Sequence, residues 1–288
     1  MKITNAGIEY IKPTVFLLQG SGLGTSEYAG RTAYDSFDKS ENGIIKGTNL
    51  MLQNARNPYL NDATKNALNN LEHSDLLDSL AWVHHHHSVL EHCNLTYLIK
   101  GISRGVLQEL VRHRIASYTV RSTRYTMQSI LNAFIASYLS EDHINTFQKL
   151  VSNFTIFDKD SVWFSLECHY VYSRLETQLK ALTAEEFINL VLSKDAQQNL
   201  EKYIGRIPEE AFVILENSKP KRNVGDAFKH IVTDNWYTDL VMTMNLRSLK
   251  NFFELRDSGA AYFLIKELAK QMKLSTPDKY LNLIVKQK

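Results

Sequence analysis

The chain has 288 residues, and its 33 lysines and arginines exceed its 31 aspartates and glutamates by only two, a formal net charge of +2. Apolar residues make up 44% and charged residues 22%, which is ordinary for a globular protein of one large or two small domains. A charge so near zero argues against bulk nucleic-acid binding, because that function usually needs a strongly basic domain.

Cysteine usage and hydropathy predict the compartment. The two cysteines, Cys93 and Cys168, are too few for a disulfide scaffold, so we expect a cytoplasmic protein. The first ten residues do not resemble a signal peptide, and apolar runs such as 15–18 are far too short to span a bilayer. We therefore expect no membrane association.

A short strand and a run of glycines come first along the chain. Residues 14–18 are β-branched and aromatic enough for a buried strand, and Gly20, Gly22 and Gly24 follow it. A strand that runs into glycines can bind a dinucleotide, but the third glycine comes one residue early for G-x-G-x-x-G and no regular βαβ alternation follows. We predict a flexible turn here, and then a helix over 27–37.

Five histidines fall within residues 84–92. Zinc sites usually combine fixed spacings with cysteine or acidic ligands, and here His87 and Glu91 have helical i, i+4 spacing. A metal protein built on this run stays an alternative hypothesis. The preceding residues 46–80 are polar, and Pro58 divides them into short predicted helices.

A strand and a helix lead into the next informative stretch. The strand is predicted over 95–99, and Ser103 can cap a helix that runs to about Arg112. Apolar residues at helical spacing, Val106 and Leu110 among them, give this helix a buried face.

The basic segment, residues 112–125, follows that helix directly. It contains four arginines, one histidine, two tyrosines and four serine or threonine hydroxyls, with no acidic residue among them. Arginine binds phosphates and planar carbonyl groups with paired hydrogen bonds, so the segment predicts an anionic, planar ligand. A solvated basic face is the alternative, but interleaved apolar residues such as Ile115 and Val120 argue against it.

The second half of the chain contains a long helical region. Thr183, with Glu186 three residues later, predicts a capping box at the start of one of its helices. No catalytic constellation lies here, so we expect core packing and contacts between subunits. The apolar spacing predicts helices over 139–154, 162–179 and 184–192.

An amphipathic helix is predicted near the C-terminal end. Steps of three and four residues place Asn245, Leu249, Phe252 and Arg256 near one face. If the polar ends of this stripe are buried, they need hydrogen-bond partners.

Three separate segments together resemble the flavin-dependent thymidylate synthases. Arg112-His113-Arg114, seven further residues and then Ser122 resemble the signature of that family. Two more segments resemble its flavin-contacting stretches, one over 86–92 and one over 245–256. The three occur in order and at compatible separations. With flanking similarities they cover most of the chain outside residues 130–205.

The resemblance implies a fold and an assembly. The expected fold class is α+β, with a central twisted, mostly antiparallel sheet flanked by helices. We expect one domain over 1–288 with a mostly helical insertion at about 130–205. The family resemblance also implies a homotetramer with sites at subunit interfaces. No nucleic-acid partner is expected, because the net charge is near zero.

The resemblance also implies a reaction, in which dUMP is methylated to dTMP. The co-substrate 5,10-methylenetetrahydrofolate supplies the carbon, FAD carries hydride, and NADPH reduces the FAD. The classical thymidylate synthase needs a cysteine nucleophile, and this chain has no Pro-Cys pair. A methyltransferase that works without an enzyme cysteine is therefore expected.

Site residues are carried over by position. Arg256 would be catalytic, because a fixed cation can stabilise negative charge that develops on the uracil ring. No metal ligand is implied. The residues expected to contact FAD are His86, Ser88, Arg112, His113, Arg114, Asn245, Arg247 and Asn251. The residues expected to contact dUMP are Glu109, Arg112, Val120, Arg121, Ser122, Thr123, Arg124, Lys229 and Arg256.

Two positions depart from the family pattern. Thr119 stands where the signature usually has an asparagine. Lys229 stands where a nucleotide-binding arginine is common, and His230 or Arg222 could serve instead. A non-catalytic nucleotide- or RNA-binding protein that uses the basic segment is the alternative function, and a yellow purified protein would exclude it.

Overall fold

The computed structural model describes residues 2–40, 43, 45–46, 62–218 and 224–286. Part of the predicted polar stretch 46–80, including Pro58, lies outside the described residues. Arg222 lies outside them as well.

Helices outnumber strands in the described chain, and both are distributed along its length. The strands are β1 (Lys2–Asn5), β2 (Ile8–Ile11), β3 (Thr14–Gly20), β4 (Asn94–Ser103), β5 (Ala116–Val120) and β6 (Tyr237–Asn245). The first seven α-helices are α1 (Leu23–Tyr34), α2 (Asp62–Asn69), α3 (Asp75–Trp82), α4 (Arg104–Leu110), α5 (Thr123–Ser137), α6 (His143–Val151) and α7 (Val162–Lys180). The others are α8 (Ala184–Val191), α9 (Lys194–Gln198), α10 (Pro208–Asn217), α11 (Val224–Phe228), α12 (Leu246–Arg256), α13 (Phe263–Ser275) and α14 (Asp278–Ile284). Short 3₁₀ helices cover Phe37–Lys39, His87–His92 and Leu200–Tyr203.

The described strands form two antiparallel sheets. β1 and β2 make a hairpin, and the larger sheet has the strand order β3-β4-β6-β5. β3 pairs antiparallel with β4, from Thr14 opposite Lys100 to Gly20 opposite Leu95. The predicted α+β fold class is confirmed.

The chain divides into two compact units. The first unit combines Met1–Lys12, Gly101–Leu107 and Val120–Asp239, and the second combines Pro13–Lys100, Gln108–Thr119 and Leu240–Lys288. The predicted helical region 130–205 lies within the first unit. That this region is an insertion into a single domain stays a prediction.

Aromatic side chains fill the core of the first unit. Phe134 on α5 is fully buried, and its ring centroid lies 5.0 Å from Tyr172, 5.1 Å from Tyr138 and 6.5 Å from Phe147. Aromatic pairs at such separations stabilise a core beyond their buried area. Helices α5, α6 and α7 therefore pack around one cluster of rings.

Alternate residues of strand β4 contribute to the core of the second unit. Leu95, Tyr97 and Ile99 alternate along β4 and are each 0% exposed, as expected for one buried face of a sheet. Helix α13 packs against β3, and the Tyr97 hydroxyl lies 2.8 Å from the hydroxyl of Thr276. None of the described helices is both long and apolar enough to cross a membrane.

The glycine turn after β3 is shorter than predicted, because helix α1 begins at Leu23 and includes Gly24. A Cβ atom at Gly24 would lie 2.6 Å from the backbone of Leu68. The glycine is therefore there to let α1 and α2 approach closely, and not to make a flexible turn. The predicted helix over 27–37 also ends earlier, at Tyr34.

Helix α11 depends on a similar close approach in the first unit. A Cβ atom at Gly225 would lie 2.3 Å from the Cα and 2.4 Å from the carbonyl oxygen of Arg124. These are backbone atoms at the start of α5, so they cannot move as a flexible side chain can.

We predict that Gly225→Ala lowers the free energy of unfolding by about 1–3 kcal/mol, the usual cost of an overpacked site. Gly259→Ala is the matched control, because a Cβ atom at Gly259 meets no heavy atom within 4 Å. Denaturant unfolding followed by circular dichroism measures both. Equal stability of the two variants would contradict the proposed close packing of α11 on α5.

Candidate functional site

Helix α12 starts where strand β6 ends, and a buried stripe runs along it. The side-chain oxygen of Asn245 caps the helix by accepting a hydrogen bond from the Ser248 backbone N–H at 2.8 Å. Leu249 and Phe252 are fully buried, and Arg256 ends the stripe. The stripe predicted from the sequence is present, and both of its polar ends have partners.

Arg256 is held at three nitrogen atoms. Its Nε donates to His113 Nε2 at 3.0 Å, its Nη1 lies 2.9 Å from Glu109 Oε2, and its Nη2 donates to the Glu109 backbone carbonyl at 3.4 Å. The side chain is only 18% exposed. The partners lie on helix α4 and just after it, so Arg256 is fixed in place rather than free in solvent.

Arg112, His113 and Arg114 lie in the loop between α4 and β5. The Tyr118 hydroxyl lies 3.0 Å from the carbonyl oxygen of Leu110 and 2.8 Å from that of His113. Burial raises the pKa of Tyr118 to about 12, so the hydroxyl keeps the proton that these contacts need. Tyr118 therefore anchors the loop on the strand that follows it.

His113 is enclosed by charge and by an aromatic ring. Its ring meets the Phe252 ring edge-on, with centroids 5.0 Å apart. Burial, and then the positive charges of Arg256 and Arg112, hold the pKa of His113 below its usual range, against a smaller opposite effect of Glu109.

A cavity of about 740 Å³ lies in the second unit beside these residues. Three segments that are far apart in the sequence line it: the 3₁₀ helix His87–His92, the loop 112–115, and helix α12. Its volume is within the range of small-molecule sites.

Positive charge dominates the cavity wall. Five cationic side chains line it, and the carboxylates in the wall are Glu91 and Glu254. Glu91 is paired with Arg247, so its carboxylate is not available to balance the other cations of the wall. Such a wall attracts an anionic ligand. The cations are Arg112, Arg114, Arg247, Lys250 and Arg256.

Lys250 is a wall residue that the sequence did not reveal. It is 6% exposed, its Nζ lies 3.8 Å from the centroid of the Trp82 ring, and 3.2 Å from His87 Nε2. Burial lowers the pKa of this lysine. Helical spacing could have found it, because Lys250 lies three residues after Arg247 on the same helix.

The expected FAD residues do not all line the cavity. Arg112, His113, Arg114, Arg247 and Asn251 do. Asn245 instead caps α12.

His86 and Ser88 are exposed members of the histidine-rich segment, and neither is part of the cavity wall, which takes His87 and Glu91 from that segment. The His86 ring stacks on Tyr34 and its Nδ1 contacts the Tyr34 hydroxyl. The segment therefore borders the cavity through His87 and Glu91, and the FAD contacts expected of His86 and Ser88 stay predictions.

The expected nucleotide residues 120–124 lie in the first unit, at the start of helix α5. Ser122 caps the helix, its Oγ accepting from the Arg124 backbone N–H at 3.3 Å. Arg124 pairs with Asp226 at 3.0 Å, and Arg121 lies 3.5 Å from Asp239. The N-terminus of a 15-residue helix beside two arginines is suited to a phosphate group.

The other expected nucleotide residues are placed as follows. Val120 ends strand β5 and Thr123 begins α5. Lys229 is exposed just after α11, and the backbone carbonyl of the neighbouring His230 accepts from Arg174 at 3.5 Å. The alternatives to Lys229 therefore stay open, since Arg222 is outside the described residues.

Neither cysteine has the setting of a nucleophile. Cys93 and Cys168 are both 0% exposed, and burial raises the pKa of each thiol to about 12. A thiol needs its thiolate form to attack, so both are inert near neutral pH.

Metal-binding potential is found away from the histidine run. Within the described ranges, the group of three or more side chains close enough to share an ion is His73, Asp75 and Asp78, which is largely exposed. His87 instead places its Nε2 3.0 Å from the carbonyl oxygen of Ala81.

Comparison with known proteins agrees with the family resemblance of the sequence. A family model described as thymidylate synthase complementing protein matches residues 23–277. The chain belongs to the flavin-dependent thymidylate synthase family. Members of this family are methyltransferases.

Members of this family align with nearly the whole chain. The flavin-dependent thymidylate synthase of Wolinella succinogenes is 28% identical over 267 residues, which cover 93% of this chain and 95% of that protein. That of Campylobacter jejuni is 26% identical over 266 residues, or 92% and 93%. A crystal structure of the Helicobacter pylori enzyme complexed with FAD and dUMP has a TM-score of 0.59 and 24% identity, covering 94% of this chain and 98% of that one.

Proposed function

We propose that the chain converts dUMP to dTMP, with 5,10-methylenetetrahydrofolate as carbon donor and NADPH-reduced FAD as hydride carrier. One observation carries the proposal: three segments that resemble the family's functional stretches line a single cationic cavity. Solved relatives from Helicobacter pylori contain FAD and dUMP, which supports both ligands here.

The cavity fits the chemistry of FAD. FAD has a diphosphate, which arginines bind with paired hydrogen bonds, and a planar ring with carbonyl and N–H groups. Arg112, Arg114 and Arg247 offer such donors, Asn251 offers an amide, and His113 offers a flat ring. When bound, FAD supplies the hydride transfer that no side chain can perform. The protein's task is then to bind, to orient and to stabilise charge.

Arg256 is proposed to act on the uracil of dUMP. Its side chain is only 18% exposed and its guanidinium is held in place by Glu109 and His113, so no reorganisation is needed when negative charge develops on the ring. Its N–H groups lie in a plane and can address a carbonyl oxygen and a ring nitrogen together.

Phosphate and sugar are proposed to be bound by the start of α5. Ser122 is a binding residue there, because its hydroxyl already caps the helix and a serine nucleophile would need an adjacent base. The further residues proposed for dUMP are Glu109, Arg112, Val120, Arg121, Thr123, Arg124 and Lys229.

The proposal extends to assembly and location. A homotetramer is expected, and the exposed apolar residues Val162, Trp163 and Leu166 on α7 support self-association. A cytoplasmic location is also proposed, and the net charge of +2 argues against a nucleic-acid partner.

The direct test is product formation by the purified protein. We expect a yellow protein that forms dTMP, detected by chromatography, when dUMP, methylenetetrahydrofolate and NADPH are all present. Omitting each component in turn is the control. Uptake of FAD and dUMP without any dTMP would contradict the proposal.

The cysteines are expected to be dispensable for the reaction. Because both thiols are buried and protonated near neutral pH, Cys93→Ala, Cys168→Ala and the double variant should retain dTMP formation. Turnover is compared per bound flavin. Complete loss of turnover in a variant with intact folding and FAD content would show that a thiol takes part.

Arg256→Lys is expected to reduce turnover by roughly a hundredfold to a thousandfold, the usual effect of removing one preorganised donor. FAD binding should change less, because lysine keeps the positive charge. The loss of the planar pair of N–H donors should affect turnover instead. Arg206→Lys is the control, since Arg206 is half exposed in a surface pair with Glu210. Near-normal turnover of Arg256→Lys, with only a lower melting temperature, would remove Arg256 from the reaction.

A further inference from the structure

Some N–H donors of Arg256 already contact protein groups, and others remain for a ligand. A guanidinium has five N–H donors. Nε–H donates to His113 and one N–H of Nη2 donates to the Glu109 backbone carbonyl, while Nη1 forms an ion pair with the Glu109 carboxylate. At least one N–H therefore remains on each terminal nitrogen for a planar ligand.

The contact with Arg256 fixes the protonation state of His113. Arginine has no acceptor atom, so Nε–H must donate and His113 Nε2 must accept at 3.0 Å. A ring nitrogen that accepts carries no proton. His113 is therefore a neutral imidazole with its proton on Nδ1, and the Phe252 ring, 5.0 Å away, fixes its plane.

Protonation of His113 Nε2 would break this hydrogen bond, because a protonated ring nitrogen cannot accept from Arg256. It would place a second cation beside a guanidinium with only 18% of its side chain exposed, where repulsion is weakly screened. The charged groups that face His113 are Arg256 from α12, Glu109 from α4 and Arg112 from its own loop. Glu109 is shared, because it also pairs with Arg112 at 3.2 Å.

We infer that His113 is a positioning residue whose neutral imidazole, together with Glu109, holds Arg256 in the orientation that leaves two N–H donors for the uracil. The inference rests on the proposed function. It adds a pH dependence: protonated His113 releases Arg256, and turnover falls. Since the surroundings lower the pKa of His113, neutral imidazole persists to a lower pH than for an ordinary histidine, and the loss occurs as pH falls through that lowered pKa.

Two variants separate the acceptor from the ring. His113→Gln keeps a side-chain oxygen that can accept from Arg256 but does not titrate. His113→Phe keeps an aromatic ring against Phe252 but has no acceptor. Each is measured as FAD-loaded enzyme with saturating dUMP, and turnover is expressed per bound flavin.

We expect kcat of His113→Phe to fall by about tenfold to a hundredfold, the scale of a lost hydrogen bond to a charged group. His113→Gln should retain more turnover than His113→Phe, and its profile should lack the acid-side loss that wild type shows. A wild-type acid limb retained in His113→Gln would overturn the inference. So would lower FAD binding in His113→Phe with unchanged kcat per bound flavin.

A double variant tests whether His113 acts through Arg256. Adding His113→Phe to Arg256→Lys should cost little beyond Arg256→Lys alone, because the group being positioned is already gone. Fully additive losses would overturn the inference. Failure of the proposed function is distinguishable, since wild type itself would then form no dTMP.

Discussion

The interaction on which the candidate site depends is the sharing of Glu109 between two arginines. One carboxylate oxygen lies 2.9 Å from Arg256 and the other lies 3.2 Å from Arg112. With five cations in the cavity wall, such carboxylates limit repulsion in the ligand-free protein. They do not neutralise all of the positive charge, so a bound anion would stabilise the cavity.

The fold places this charge through short connections. Strand β6 passes directly into α12 at Asn245, so the sheet fixes where that helix begins. Leu249 and Phe252 then bury one face, which directs Arg247 and Asn251 to the cavity. The structure therefore uses an ordinary amphipathic helix to present cations, and leaves the chemistry to bound cofactors.

Much of this could be read from the sequence where a local rule decides the outcome. The capping box of Thr183 and Glu186 is present as predicted. Other features depend on tertiary contacts that local rules do not see. Gly24 looked like part of a turn until the backbone of Leu68 was in place beside it. The burial of Lys250 under the Trp82 ring is another such contact, which no local pattern predicts.

The most direct test of the account is a crystal structure of the wild-type chain with FAD and dUMP. The account predicts that FAD contacts Arg112, Arg114 and Arg247 in the second-unit cavity, and that Arg256 faces the uracil while keeping its contacts to Glu109. A flavin bound elsewhere on the chain, with this cavity empty, would contradict it.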